Sequence, residues 1–207
     1  MRKTRIQTVF LVVGLCVLSA VAASAQTDVA ASLYGAFSES STGNNTAQSP
    51  SNAAGGLIEV RHISNPLIGY EGTYSFNRAN QRYSFTGASC GLICGPIPGP
   101  QSVSANAHEI TADWVASLKI SNLRPFALAG AGILLDEPSN GQGSTNSTTK
   151  PVFVYGAGLD WGLLPHLGLR LQYRGNLYKA PNLTTIFTST GAFTQTAEPM
   201  VGVYFRL

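Results

Sequence analysis

From Pro151 to Tyr178 the side chains change character with a period of two, and this constrains the chain more than any other feature. Phe153, Tyr155, Ala157, Leu159 and Trp161 share one parity; Val154, Gly156, Gly158, Asp160 and Gly162 share the other. After Leu164-Pro165-His166 the alternation resumes. Leu167, Leu169, Leu171, Tyr173 and Leu177 fall on one side, and Arg170, Gln172, Arg174 and Asn176 on the other. Side chains alternate faces along a strand, so this reads as a hairpin with one apolar face and one face of small and charged residues. Strands of about ten residues with aromatic ends and a polar second face suit a transmembrane β-barrel, lipid outside and polar lumen within.

Composition agrees. Only 11% of the 207 residues are charged, against roughly 25% in soluble domains. Mean hydropathy is only +0.10, too low for a bundle of membrane helices. Residues 1–25 read as a cleavable signal: basic Arg2, Lys3 and Arg5, an apolar run within Ile6 to Val21, then Ala23-Ser24-Ala25. Without it ten basic residues face ten acidic ones, and no basic patch argues for nucleic acid. Cys16 leaves with the signal. Cys90-Gly-Leu-Ile-Cys94, in an exported chain, reads as a small disulfide loop.

The same alternation recurs along residues 26–207, which form one barrel domain. Strands are expected near Asp28–Ser38, Gly55–Ile63, Leu67–Phe76, Val103–Ile120, Pro125–Leu135, the two arms of the hairpin, and Thr196–Leu207. The fifth is Ala/Gly-rich, with Phe126, Leu128 and Leu134 on its bulkier face. Polar loops at Ser40–Ser51, Asn77–Ser102, Asp136–Lys150 and Lys179–Gln195 alternate with short turns. The predicted fold is an all-β, eight-stranded antiparallel up-and-down transmembrane barrel. Its short turns would be periplasmic and its long loops extracellular. Closure leaves no unpaired strand edge, as hydrocarbon requires.

The chain resembles the OmpA-like/OmpX-like eight-stranded outer-membrane β-barrel family over essentially all of residues 26–207. Its most local element is the end, Gly202-Val-Tyr-Phe205-Arg-Leu207, which is similar to the signal by which the barrel-assembly machinery recognises its clients. It departs from that signal in a terminal Leu, where Phe is commonest, and in Met200. The resemblance implies a bacterial outer-membrane location, lipid and the assembly machinery as partners, and a structural or surface-interaction role.

An eight-stranded lumen is narrow enough to be filled by side chains. The inward parity collects Glu59, Arg61, Glu71, Glu109, Asp113, Lys119, Asp160, Arg170, Arg174 and Arg206, five acidic and five basic. Shielded charges need partners, so an ion-pair network plugging the lumen is expected. A narrow pore is the alternative; a soluble lipocalin-like barrel with its faces reversed is a third reading. Tyr70, Trp114, Tyr155, Trp161, Tyr173 and Phe205 lie on the lipid parity and are expected at the membrane interfaces. Catalysis is not expected. Ser104 and His108 share a parity about 13 Å apart in a strand, and His62 and His166 fall near the opposite turns. No cofactor or metal signature appears. The chain is expected to act as a monomer, and its Ser/Thr/Asn/Gly-rich loops offer a surface for an extracellular ligand. Arg78 and Arg82, at the base of the second long loop, are candidates for that contact or for lipid phosphates.

Overall fold

The computed structural model describes residues 26–64, 67–87, 99–139 and 145–207. The expected signal (1–25), the Asn65-Pro66 turn and the Cys90/Cys94 loop lie outside the described residues. Ten strands are present: β1 (Gln26–Ser38), β2 (Ser41–Gly43), β3 (Thr46–Pro50), β4 (Ala53–Ile63), β5 (Ile68–Phe85), β6 (Gln101–Ser117), β7 (Leu123–Pro138), β8 (Thr148–Gly162), β9 (Leu167–Lys179) and β10 (Phe193–Arg206).

Eight of them, β1 and β4 to β10, each pair antiparallel with the next in sequence. β1 pairs with β10 and closes the barrel, with Asp28 opposite Arg206 and Ser38 opposite Thr196. The predicted eight-stranded up-and-down barrel is therefore the observed one. The remaining two strands form a hairpin inside the first long loop, turning through Asn44 and Asn45 at positive φ. Asparagine tolerates that region better than most residues. The hairpin extends the wall by pairing β3 with the upper part of β5.

Short turns and both ends of the described chain lie at one end of the barrel, called here the turn end. The long connections lie at the other, the loop end. β5 runs well beyond the sequence-derived boundary at Phe76. Its outward residues there, Arg78, Asn80 and Arg82, are exposed and polar, so no apolar face marks the strand. Its inward residues Gln81 and Tyr83 are still buried.

The barrel is apolar outside. Leu33, Ile58, Trp114, Ile133, Leu171 and Val201 are among its exposed large side chains. This is opposite to a lipocalin-like arrangement. Inside, burial falls mainly on polar residues, with three apolar clusters among the described residues. Phe126, Leu128 and Leu134, the bulkier face of β7, turn inward and pack with Val115, Val152 and Val154. Bulk did not mark the lipid side of β7; its outward residues are Ala127, Ala129, Ala131 and Ile133. Where β8 and β9 meet at the turn end, a Cβ on Gly168 would lie 2.5 Å from the Trp161 carbonyl and against the Tyr204 ring, so only glycine fits.

Candidate functional site: the charged lumen

Two buried clusters fill the barrel. The one nearer the turn end is built on Arg61 of β4 and Arg170 of β9, both without exposed surface. Period-two alternation aims each inward, and the register sets Arg61 opposite Glu71 and Arg170 opposite Asp160. Arg61 Nε donates to Glu71 Oε2 at 2.7 Å, and its Nη2 lies 2.6 Å from the same oxygen. Arg170 grips Asp160 with two bonds, Nε to Oδ1 at 2.6 Å and Nη2 to Oδ2 at 2.8 Å. Such forked pairs are the strong form of the Arg–carboxylate contact. Nη2 of Arg170 also donates to Asp28 Oδ1 at 3.1 Å, and Nη1 pairs with Glu59. Asp160 and Glu59 are shared, each lying 3.4 Å from Arg61. The Arg61 guanidinium also sits 4.0 Å above the Phe126 ring, a cation–π contact that uses the inward face of β7.

Two guanidiniums facing Asp28, Glu59, Glu71 and Asp160 leave negative charge in excess. Arg124 and Arg206 stand at the turn-end edge of this cluster, opposite Asp160 and Asp28 in the register. Arg124 donates to Gln26 Oε1 at 2.7 Å.

The second cluster lies toward the loop end and centres on Arg174. Its Nη2 donates to Glu109 Oε1 at 3.1 Å and to the Thr111 hydroxyl at 2.8 Å; Nη1 donates to Thr73 Oγ1 at 3.0 Å. Asp113 lies 3.8 Å from Nη2 and accepts from Thr111. Asn176 donates to the other Glu109 oxygen at 3.0 Å. Glu198 is opposite Arg174 in the register, and it and Asp136 are buried with Oε2 and Oδ2 unpartnered. Above this cluster is a cavity of about 30 Å³ lined in part by Glu109, Asp136, Asn176 and Glu198, room for about two waters.

Ala105, on the wall of this cavity, also touches the last long connection. The 180–192 loop folds over the loop-end mouth and buries Leu183 and Phe187 against Tyr83, Val103 and Ala105. Tyr83 donates to the Pro181 carbonyl at 3.0 Å and accepts from the Leu183 amide at 3.1 Å. On one side the loop is tied to the β2–β3 hairpin, where Asn44 Nδ2 donates to the Ser189 carbonyl and Thr188 Oγ1 to the Asn44 carbonyl. On the other, Thr148 Oγ1 donates to the Asn182 carbonyl.

Eight of the ten charges assigned inward by parity thus lie in these two clusters: Glu59, Arg61, Glu71, Asp160 and Arg170 in the first, Glu109, Asp113 and Arg174 in the second. Lys119 does not join them. It follows the end of β6 and is exposed in the turn, where strand parity no longer directs a side chain. Arg206, the last strand residue, is half-buried at the rim beside Tyr204. Parity also holds the residues that the sequence reading missed. Asp28 shares a face with Ala30 and Ser32, and Glu198 shares one with Met200 and Tyr204.

The six assigned aromatics all point outward. Tyr70 and Trp114 are cross-strand partners near the turn end, with Trp161 and Phe205 at a similar level on β8 and β10. Tyr155 and Tyr173 stand near mid-strand, below Phe37, Phe76 and Phe153. The histidines are dispersed: His62 Nδ1 lies 3.0 Å from Thr27 Oγ1, His108 Nδ1 2.9 Å from the Tyr74 hydroxyl, and His166 Nδ1 3.1 Å from the Arg206 carbonyl.

A closed antiparallel barrel, apolar outside and charged within, defines a membrane-spanning β-barrel protein. The chain matches the outer membrane protein beta-barrel domain family over residues 8–205 and belongs to that family. No curated protein matches it. Three solved barrels share the fold. OprG of Pseudomonas aeruginosa superposes with a TM-score of 0.59 at 11% identity, covering 88% of this chain and 96% of its own. Neisserial surface protein A gives 0.56 at 16% identity, covering 87% and 97%. Ail, the attachment invasion locus protein of Yersinia pestis, solved with the heparin analogue sucrose octasulfate, gives 0.52 at 17% identity, covering 88% and 99%.

Proposed function

We propose that this outer-membrane barrel is closed to solutes and acts through its loop-end surface, in a structural or adhesin-like role. The observation that carries this reading is the double obstruction of the lumen. Ion pairs centred on Arg61, Arg170 and Arg174 fill it, and the 180–192 loop roofs it. Among the described residues, the surface open to other molecules on the outer side is built by that loop, the β2–β3 hairpin and the neighbouring Thr148 end of β8. Tied to one another by hydrogen bonds, these segments present one platform. Export by the 1–25 signal, assembly by the barrel-assembly machinery and a monomeric state complete the reading.

Expression in a non-adherent outer-membrane host tests the adhesive role. Cells carrying the barrel should bind an extracellular-matrix-coated surface more than cells carrying a version whose 41–50 hairpin is replaced by a short Gly/Ser turn. Equal binding at equal surface levels would exclude adhesion through the hairpin.

A second reading, a gated cation path, draws on one observation: the unpartnered Asp136 and Glu198 oxygens lie among the residues that line the cavity above the Arg174 cluster.

A further inference from the structure

Lys119 and Arg206, which make no ion pair within the lumen clusters, meet at the turn-end rim. Together with Arg124 they line a cavity of about 320 Å³ at the turn end of the barrel. The rest of its wall comes from the β6–β7 and β8–β9 turns and Tyr204, and no carboxylate side chain contributes to it. We propose that this cavity is an anion site for a phosphate group, carried by a phospholipid headgroup or free in solution.

The site is built by two turns that are bonded to each other. In the β6–β7 turn, Ile120 and Leu123 exchange backbone hydrogen bonds and Ser121 takes a positive φ of 56°. In the β8–β9 turn, the Leu163 and Leu164 amides donate to the Leu167 carbonyl. The Gly162 amide donates to the Asn122 carbonyl at 2.8 Å and fixes one turn against the other.

Three cations line one cavity with no carboxylate on its wall, so an anion bound there meets only basic groups as charged side chains. Arg124 and Arg206 neighbour carboxylates on the lumen side, yet neither makes an ion pair among the described residues. Arg206 Nε is buried with no acceptor, and so remains a free donor. Lys119 is exposed at the rim, free to close over a ligand. Guanidinium and ammonium groups together form the usual cradle for phosphate oxygens. Leu123, Leu163 and Leu164 are exposed around the same cavity. Apolar side chains beside a basic pocket at a barrel rim suit a headgroup whose acyl chains continue along the outer wall. The site is at the opposite end from the roofed mouth, so it stands or falls independently of the proposed surface role.

The test is calorimetric titration of the detergent-solubilised barrel, first with inorganic phosphate and then with dihexanoyl phosphatidylglycerol. Chloride at equal ionic strength is the blank. Saturable binding should weaken at least tenfold in the K119Q/R206Q variant. Saturation by phosphate alone would identify the free anion as sufficient; saturation by the lipid only would identify the headgroup, with the leucines contributing. Absence of saturable binding to both, or equal affinity in K119Q/R206Q, would overturn the proposal. A heat-dependent gel mobility shift shows that the variant is folded. The single variants K119Q and R206Q, each expected to weaken binding several-fold, serve if the double variant does not fold.

Discussion

Arg170, like Arg61, gathers three carboxylates in the lumen. It meets Asp28, Asp160 and Glu59 without any exposed surface. Removing one member of a buried ion pair strands its partners in a medium that solvates them poorly. Arg170→Leu should therefore lower unfolding stability by about 3–5 kcal/mol, read as a shift in the urea midpoint of the folded barrel in detergent. Arg174→Leu should act similarly through Glu109. Lys119→Gln, in an exposed turn, should fall within about 0.5 kcal/mol. Midpoints unmoved in both arginine variants would mean that the network does not hold the barrel together. The inward orientation of these residues was legible from parity alone, because a strand reverses its side chain at every step. Their partners were not. Which carboxylate an arginine meets depends on register, tilt and side-chain reach across the lumen. Arg61 finds Glu71 on the adjacent strand but Asp160 on a distant one.

At the scale of single elements, the reading was sound wherever a strand faced lipid and failed where it did not. The upper half of β5 shows why. Above Phe76 the outward residues are polar, so the two-residue rhythm loses its apolar face although the backbone continues in register with β6. On β7 the sequence offered a bulkier face but no direction for it: the outward residues are mostly small and Phe126 faces in, where it serves as the surface under Arg61. The 180–192 loop hid its role behind Ser and Thr. Its large apolar anchors are Leu183 and Phe187, set against Tyr83. Tyr83→Phe keeps the ring packing and removes a donor and an acceptor. Each lost hydrogen bond is worth about 0.5–1.5 kcal/mol. The variant should show faster amide exchange through the loop, Leu183 above all, while exchange in β8 and β9 stays unchanged. Uniform acceleration across the barrel would place Tyr83 in the global fold instead of the roof.

Over the whole molecule, the outer wall draws its own boundaries. Toward the loop end, exposed character passes from Phe37 to Glu39, from Phe76 to Arg78, from Leu135 to Glu137 and from Leu177 to Lys179. On β5 the apolar stretch runs from Ile68 to Phe76, close to the about 9–11 residues that a tilted strand needs to cross hydrocarbon. Inside that belt the charge clusters fill the core, and the 180–192 loop crosses the loop end. The central claim, a membrane barrel that does not conduct, is tested most directly by single-channel recording of the refolded protein in a planar bilayer. The bilayer should stay silent at neutral pH in molar salt, both for the native chain and for a variant with the 180–192 loop shortened, because the arginine clusters alone block the lumen. Reproducible current steps from the native barrel, altered by changing Arg170 or Arg174, would contradict that claim and make the lumen a pathway.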